Sequence, residues 1–148
     1  SKDFQLNFIG FVSHSVLDSI KKYNLSDYVN NIGYVSHNEA IKFQKKSQIL
    51  LLIEIDSEET KGIIPGKLFE YMVSNRPIIA MGPKASDVEK IIKETNTGNY
   101  FNYEDSESLK RAILEHYKAF QNNTLQVNPV GLQKYSRKSL TEGLSKLI

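Results

Sequence analysis

Apolar and polar residues occur along this chain in blocks whose periods predict strands and helices in turn. The most apolar block, residues 49–55, is too short to cross a bilayer and predicts a strand buried on both faces, as in a parallel sheet. Pro65 is expected to be the first residue of a helix that continues to Ser74, because that position needs no amide partner. Pro77 blocks further helix, and residues 78–81 predict the next buried strand. This strand-helix-strand unit is the centre of the predicted fold.

The same pattern extends to both sides of this unit. Further strands are predicted over residues 6–12, 28–35 and 99–103, the last at a sheet edge, and amphipathic helices over residues 109–120 and 132–148. Other helices are expected after the caps Ser13, Ser36 and Ser86, the last two with the carboxylate three residues on that makes a capping box. Gly98 is expected to end the helix after Ser86 in the left-handed conformation. Alternating strands and helices predict an α/β three-layer sandwich, with residues 1–148 as a single domain.

Composition describes a globular chain and removes several classes of function. The 148 residues contain no cysteine, which excludes disulfides and thiolate chemistry and suits a reducing compartment, so we expect the cytoplasm. Three scattered histidines make no convincing metal site, and a net charge of +2 is too small to indicate nucleic acid binding. The chain begins at Ser1 without an initiator methionine, so we expect a piece of a longer protein.

Motif absences narrow the chemistry further. The sequence has no GxGxxG dinucleotide fingerprint and no GxSxG nucleophile elbow. The run GIIPGKL, residues 62–68, is one residue short of a nucleotide triphosphate loop and lacks its terminal Ser or Thr. Hydrolase and nucleoside triphosphatase functions are therefore not supported.

The candidate site lies in the loop between the two central strands and at the start of the helix that follows it. Residues 56–64 are long for such a connection, where about 2–6 residues is usual, and ligands of open parallel sheets bind at this edge. Gly62 and Gly66 allow close approach of the backbone, and the helix start offers free amides and the positive dipole end to a phosphate. Lys67 adds a charge, and Glu70, one turn on, is suited to ribose hydroxyls. The alternative, that Glu70 only satisfies the dipole and pairs with Lys67, has about even weight.

This segment resembles a known family. PGKLFEYMVSNRPIIAMGP resembles the donor-nucleotide segment of GT-B glycosyltransferases of family 4, in which a helix carrying E-A/Y-M/L is followed by G-x-P-V/I-I/V-A. NNIGYVSHNEAIKFQKKSQILLLI resembles the family's preceding strand, helix and strand, and TGNYFNYEDSESLKRAI its closing part. The resemblance covers residues 6–114, and the tail YSRKSLTEGLSKLI resembles the family's C-terminal helix. It implies a Rossmann-like α/β/α sandwich with a mostly parallel sheet, the C-terminal half of the GT-B fold.

The resemblance also implies roles for individual residues. Glu70 would match the second glutamate of the family's E-x7-E motif, which holds the donor ribose. The donor's diphosphate and sugar would lie by the backbone of Gly62, Ile63, Ile64, Pro65 and Gly66. Lys67 would carry phosphate charge and act in catalysis. Gly62 stands where the first glutamate belongs, and Glu59 or its neighbour Glu58 is the candidate to replace it. From its position, and not from the resemblance, His37 at a strand-to-helix turn is a further candidate for donor contact, the alternative being a solvated turn residue.

The implied activity is transfer of a sugar from a nucleotide diphosphate sugar to a glycan or lipid-linked acceptor, with retention of configuration and without cofactor or obligatory metal. The family's acceptor-binding N-terminal domain lies outside these residues, so the isolated domain is expected to transfer little. The basic clusters 42–46 and 134–138 are expected to be solvated faces; the alternative, in this family, is attraction to anionic lipid and so peripheral association with the inner face of a membrane. Two alternatives remain: a non-hydrolysing nucleotide-sugar epimerase type of domain, and a non-catalytic α/β regulatory or binding module.

Overall fold

The structure is a computed structural model that describes residues 4–146, and it alternates strands with helices in the predicted order. The strands are β1 (Leu6–Ile9), β2 (Val29–Gly33), β3 (Leu50–Ile53), β4 (Ile78–Gly82) and β5 (Gly98–Asn102). The helices are α1 (His14–Lys22), α2 (His37–Lys46), α3 (Gly66–Val73), α4 (Asp87–Thr95), α5 (Ser106–Gln121) and α6 (Arg137–Ser145). All paired strands in this part of the chain run parallel, which confirms the predicted α/β fold class.

The chain divides into two compact units, Ser1–Phe43 (unit 1) and Gln44–Ile148 (unit 2). In unit 1, β1 and β2 form a two-stranded sheet and α1 connects them. The predicted strand over residues 6–12 ends early, because Gly10 adopts a positive φ of 106° while its amide donates to the carbonyl oxygen of Gly33 at 2.7 Å. Over the described residues of unit 1, every side chain keeps part of its surface exposed.

In unit 2, β4 lies between β3 and β5 in a three-stranded sheet. The prediction that residues 49–55 are buried on both faces is wrong in its second half, since Ile53 and Ile55 are 57% and 73% exposed. The reason is the strand order of this sheet, which places β3 at an edge and β4 in the middle. β5 at the other edge agrees with the edge strand predicted there.

The two faces of this sheet carry separate apolar clusters, so unit 2 has three layers. On one face, the strand residues Leu52, Ile78 and Ala80 pack with residues of α3 and α4, of which Leu68 and Val88 are fully buried. The opposite face joins a second set to α5, formed by Ile79, Phe101 and Ala112 with Ile49, Leu51 and Leu109 beside them. Alternate residues of β4 thus serve opposite cores, as a strand period of two requires. This arrangement is consistent with a Rossmann-like α/β/α sandwich.

Helix starts follow the capping predictions in part. The capping box at Ser36 is confirmed: its hydroxyl accepts from the Glu39 amide at 3.3 Å, and its amide donates to the Glu39 carboxylate at 3.0 Å. At Ser86 the hydroxyl accepts from the Glu89 amide at 3.2 Å, but the Glu89 carboxylate accepts from the amide of Ala85 and not from that of Ser86. Ser13 precedes α1 as predicted but makes no side-chain cap bond to the helix.

Two predictions about helix ends are wrong. The left-handed residue that ends α4 is Asn96, with φ of 51°, and Gly98 instead begins β5. The helix predicted over residues 132–148 is interrupted, because a short 3₁₀ turn, Leu132–Tyr135, is followed by Ser136 in extended conformation, which caps α6. The last two residues of that predicted helix lie outside the described part of the chain.

Candidate functional site

The long loop between β3 and α3 has internal order. Glu58–Thr60 forms a 3₁₀ turn, and the Ser57 hydroxyl caps it by accepting from the amide of Glu59 at 3.3 Å. The Thr60 hydroxyl reaches the carbonyl oxygen of Ile55 at 2.9 Å. Further along, the carbonyl oxygen of Lys61 accepts from the amide of Asp87, the first residue of α4, at 2.9 Å. These bonds hold the loop at the carboxyl edge of the sheet, where ligands of open parallel sheets bind.

The first turn of α3 is open to a ligand. Pro65 is the N-cap and not the first helical residue as predicted, and proline supplies no side-chain cap. In the described part of the chain, the amides of Gly66 and Lys67 make no hydrogen bond, and both residues are exposed. The helices α4, α5 and α6 differ, because side chains of Ser86, Asp105 and Ser136 close their starts. An uncapped start leaves two donors and the positive dipole end for an anion.

Glu70 lies one turn into α3 and is held in place from another helix. Its Oε2 accepts a hydrogen bond from Nε2 of Gln44, in the last turns of α2, at 3.0 Å. The side chain is half-buried, whereas Leu68 and Met72, on the other side of α3, are in the core. Burial raises the pKa of the neighbouring Tyr71 phenol, and the charge of Glu70 adds to that rise. A carboxylate fixed in this way is preorganised to accept hydrogen bonds from two adjacent hydroxyls.

The Lys67 side chain is exposed and makes no ion pair within residues 4–146. It therefore does not neutralise Glu70, and the ion pair between Lys67 and Glu70 that the alternative predicts is absent from the described residues. The cation and the two free amides lie at the same helix start, where a polyanion would meet all three.

The other predicted residues lie on the loop or on α2. Ile63 and Ile64 are exposed, at 61% and 37%, between the exposed glycines Gly62 and Gly66. Glu59 is exposed in the 3₁₀ turn, and its carboxylate makes no bond to any described residue, whereas Glu58 pairs with Lys61 at 2.6 Å. His37 is the first residue of α2, in unit 1, and is exposed.

A buried carboxylate at the same sheet edge is absent from the sequence predictions. Glu54, directly after β3, is 8% exposed, and its Oε2 accepts from the Tyr100 hydroxyl at 2.6 Å and from the Ser86 hydroxyl at 3.0 Å. Burial and the hydrogen bond to Glu54 raise the pKa of Tyr100 far above its usual range. The available signal was the strand period, because Glu54 is in phase with the buried Leu50 and Leu52.

Unit 2 thus combines a parallel sheet with an open helix start at its carboxyl edge.

No protein-family model matches this chain, and no curated protein matches it. Among residues 4–146, no helix is both long and apolar enough to span a bilayer. The same residues contain no group of three or more metal-ligating side chains of the His, Asp and Glu types that would hold an ion.

Proposed function

We propose that this chain is the donor-binding domain of a glycosyltransferase of the GT-B family 4 type, which binds a nucleotide diphosphate sugar. The observation that carries the proposal is the start of α3, where the free amides of Gly66 and Lys67, the Lys67 ammonium and the Glu70 carboxylate occupy two consecutive turns. The amide donors and the cation are suited to a diphosphate, and the oriented carboxylate one turn later is suited to the ribose attached to it.

In this proposal the ligand lies along the first two turns of α3. The diphosphate accepts from the amides of Gly66 and Lys67 and is neutralised by the Lys67 ammonium, while Glu70, oriented by Gln44, accepts from the ribose hydroxyls. The sugar lies by the loop backbone of residues 62–65, which is exposed at Gly62, Ile63 and Ile64. Glu59 remains the candidate for a second carboxylate near the sugar.

The chemistry proposed for the full enzyme is transfer of the sugar to a glycan or lipid-linked acceptor with retention of configuration. The bond from the anomeric carbon to the diphosphate breaks, and the nucleoside diphosphate leaves with the electron pair. The acceptor hydroxyl oxygen bonds to the anomeric carbon from the same face, and its proton passes to the departing diphosphate. Fixed amides, a helix dipole and Lys67 stabilise the negative charge that develops on the leaving group. We place the reaction in the cytoplasm, at the inner face of a membrane when the acceptor is lipid-linked.

Calorimetric titration of the chain with UDP, GDP and their sugars tests the proposal. We expect one of these nucleotides to bind. Glu70→Ala should weaken the affinity for that nucleotide about tenfold or more, since hydrogen bonds to charged groups contribute about 1.5–3 kcal/mol. Lys67→Ala should also weaken the affinity and should reduce its dependence on salt concentration. Lys110→Ala and Glu107→Ala, exposed residues of α5, are the controls for charge and should leave affinity unchanged.

Thermal unfolding of each variant shows whether it is folded. If none of these nucleotides binds at millimolar concentration, or if Glu70→Ala binds as the unaltered chain does, the proposal fails and a non-catalytic α/β module is favoured. Product analysis on the full-length enzyme separates transfer from epimerisation of the sugar, and there Lys67→Ala should mainly slow the transfer step.

A further inference from the structure

Glu54 is a buried carboxylate with an incomplete set of hydrogen bonds. Its Oε2 accepts from two hydroxyls, those of Ser86 and Tyr100, while its Oε1 is equally buried and has no partner among the described residues. The main chain of Glu54 is also fixed on both sides, because its amide donates to the Met81 carbonyl at 2.8 Å and its carbonyl accepts from the Tyr103 hydroxyl at 2.5 Å.

Stability alone does not account for a carboxylate in this position. A buried acceptor without a partner destabilises the folded state, and apolar replacements of buried ionic groups are often neutral or stabilising. The neighbouring strand nevertheless makes room for this group: a Cβ on Gly82 would lie 2.5 Å from Oε2 of Glu54 and 2.5 Å from the Tyr100 hydroxyl. The end of β4 therefore has the shape that the carboxylate requires.

A short series of bonds links this carboxylate to the ligand-binding loop. The Ser86 hydroxyl that donates to Glu54 also caps α4, so the carboxylate orients the cap. The next residue, Asp87, donates its amide to the carbonyl oxygen of Lys61, and Lys61 directly precedes Gly62. Glu54 itself directly precedes the loop. Glu54 is thus connected to the loop at two points: it directly precedes residue 55, and through Ser86 and the start of α4 it is connected to the carbonyl oxygen of Lys61.

We infer that Glu54 is a positioning residue that fixes the 55–64 loop for nucleotide binding by holding Ser86 at the start of α4. The inference rests on the proposed function for the identity of the ligand. It assigns Glu54 no contact with the ligand, since the carboxylate is buried and its hydrogen-bond partners are Ser86 and Tyr100. Its role is to place the backbone from Lys61 onward beside the open start of α3.

The test compares Glu54→Leu and Glu54→Gln with Leu52→Ala. Leu52 is a buried residue of β3, two positions before Glu54 and in phase with it, so its truncation lowers stability without altering the carboxylate. Three quantities are measured on the whole chain: the urea unfolding midpoint, the affinity for the nucleotide that the unaltered chain binds, and hydrogen exchange of the loop amides. The informative amides are those of Thr60, Lys61 and Ile63, each hydrogen-bonded within the loop.

For Glu54→Leu we expect a retained unfolding midpoint, exchange of these amides at least tenfold faster, and affinity about tenfold weaker, equivalent to ~1.4 kcal/mol. Glu54→Gln keeps the shape and one acceptor, so it should restore part of both losses. Leu52→Ala should lower the midpoint while loop exchange in native buffer and affinity stay close to those of the unaltered chain. If Glu54 had only a structural role, Glu54→Leu would not weaken binding while the unfolding midpoint is retained.

The inference is overturned if Glu54→Leu leaves the exchange rates of the loop amides unchanged. It is also overturned if Glu54→Leu weakens nucleotide affinity only together with a lowered unfolding midpoint, as a general loss of stability would. If Glu54→Leu does not fold, Tyr100→Phe removes one donor while keeping the ring, and the same readouts decide. The exchange measurement needs no ligand. A chain that binds no nucleotide but shows the faster exchange would therefore refute the proposed function and leave the fixing of the loop by Glu54 established.

Discussion

Gly98 shows at the residue scale how a missing side chain permits the pairing of two strands. It begins β5 opposite Ile78, and a Cβ at this position would lie 1.9 Å from the carbonyl oxygen of Ile78 and 2.7 Å from its amide nitrogen. These are backbone atoms of the central strand, which cannot rotate away as the end of a side chain can. The close approach of β5 to β4 therefore requires glycine here.

Gly98→Ala is expected to destabilise unit 2 by about 3 kcal/mol, the upper end of the roughly 1–3 kcal/mol that overpacking typically costs, because the contacted atoms belong to the backbone. The measurement is the free energy of unfolding from urea titration. Gly143→Ala in α6 is the matched control, because nothing lies within 4 Å of the added methyl group there. Alanine favours a helix interior by roughly 0.5–1 kcal/mol, so the control should be neutral or slightly stabilising. Equal effects of the two substitutions would contradict this account of Gly98.

The same residue shows why some residue roles escape sequence analysis. Asn96 and Gly98 lie two positions apart, and both residue types adopt the left-handed conformation that ends helices. The structure uses Asn96 for that purpose. Gly98 is required in the strand because the main chain of Ile78, twenty residues earlier in the sequence, lies against it. A rule for helix ends that uses only neighbouring residues contains no information about that contact.

At the scale of the element, the start of α4 is held by a network of hydrogen bonds centred on Glu89. Oε2 of Glu89 accepts from the amide of Ala85 at 2.9 Å, and Oε1 accepts from Nζ of Lys93 at 2.6 Å, while Ser86 accepts from the Glu89 amide. The hydrogen bond from Lys93 is the largest cause of a lowered pKa at Glu89, and the bond from Ala85 lowers it further. The ionised carboxylate is thus favoured by the folded state.

Because the folded-state pKa of Glu89 is lowered, its contribution to stability is complete above the unfolded pKa, about 4.3 for glutamate, and is lost as the pH falls through the folded pKa. Glu89→Gln keeps the capping geometry but removes the charge. We expect it to lower the free energy of unfolding at pH 7 by less than about 1 kcal/mol, and this difference should shrink toward pH 3. Urea titrations at both pH values measure it.

Glu115→Gln, at an exposed position in the middle of α5, is the control for loss of a negative charge and should show little pH-dependent difference. A difference between Glu89→Gln and the unaltered chain that is as large at pH 3 as at pH 7 would show that the carboxylate's charge contributes nothing through this network.

Elements defined by adjacent residues could be predicted, and those defined by distant contacts could not. The serine caps at Ser36 and Ser86 are set within four residues, and each hydroxyl accepts from the amide three residues on. The helix start after Pro65 was also predictable, since proline and glycine there leave no side-chain cap. The environment of Glu54 could not be predicted, because its partners Ser86 and Tyr100 are 32 and 46 residues away in the sequence. They lie beside Glu54 only because of the register in which the strands pair.

At the scale of the whole molecule, the two units differ in how much apolar surface they bury. Unit 2 contains both apolar clusters, and on its central strand Ile78 and Ala80 are completely buried. Unit 1 has no fully buried side chain among its described residues, although β1 and β2 pair along their length. Burial of apolar surface is the main source of stability, so the two sheets should open at different free energies.

Hydrogen exchange at several urea concentrations below the unfolding transition measures this difference. Amides of β4 are expected to exchange only through global unfolding, so their rates should rise with urea in proportion to the surface that unfolding exposes. Amides paired between β1 and β2 should exchange through local opening, which exposes little surface, so their rates should be higher and nearly independent of urea. If the β1–β2 amides show the urea dependence of β4, the two units unfold as one cooperative structure, and the shortage of buried side chains in unit 1 does not weaken it.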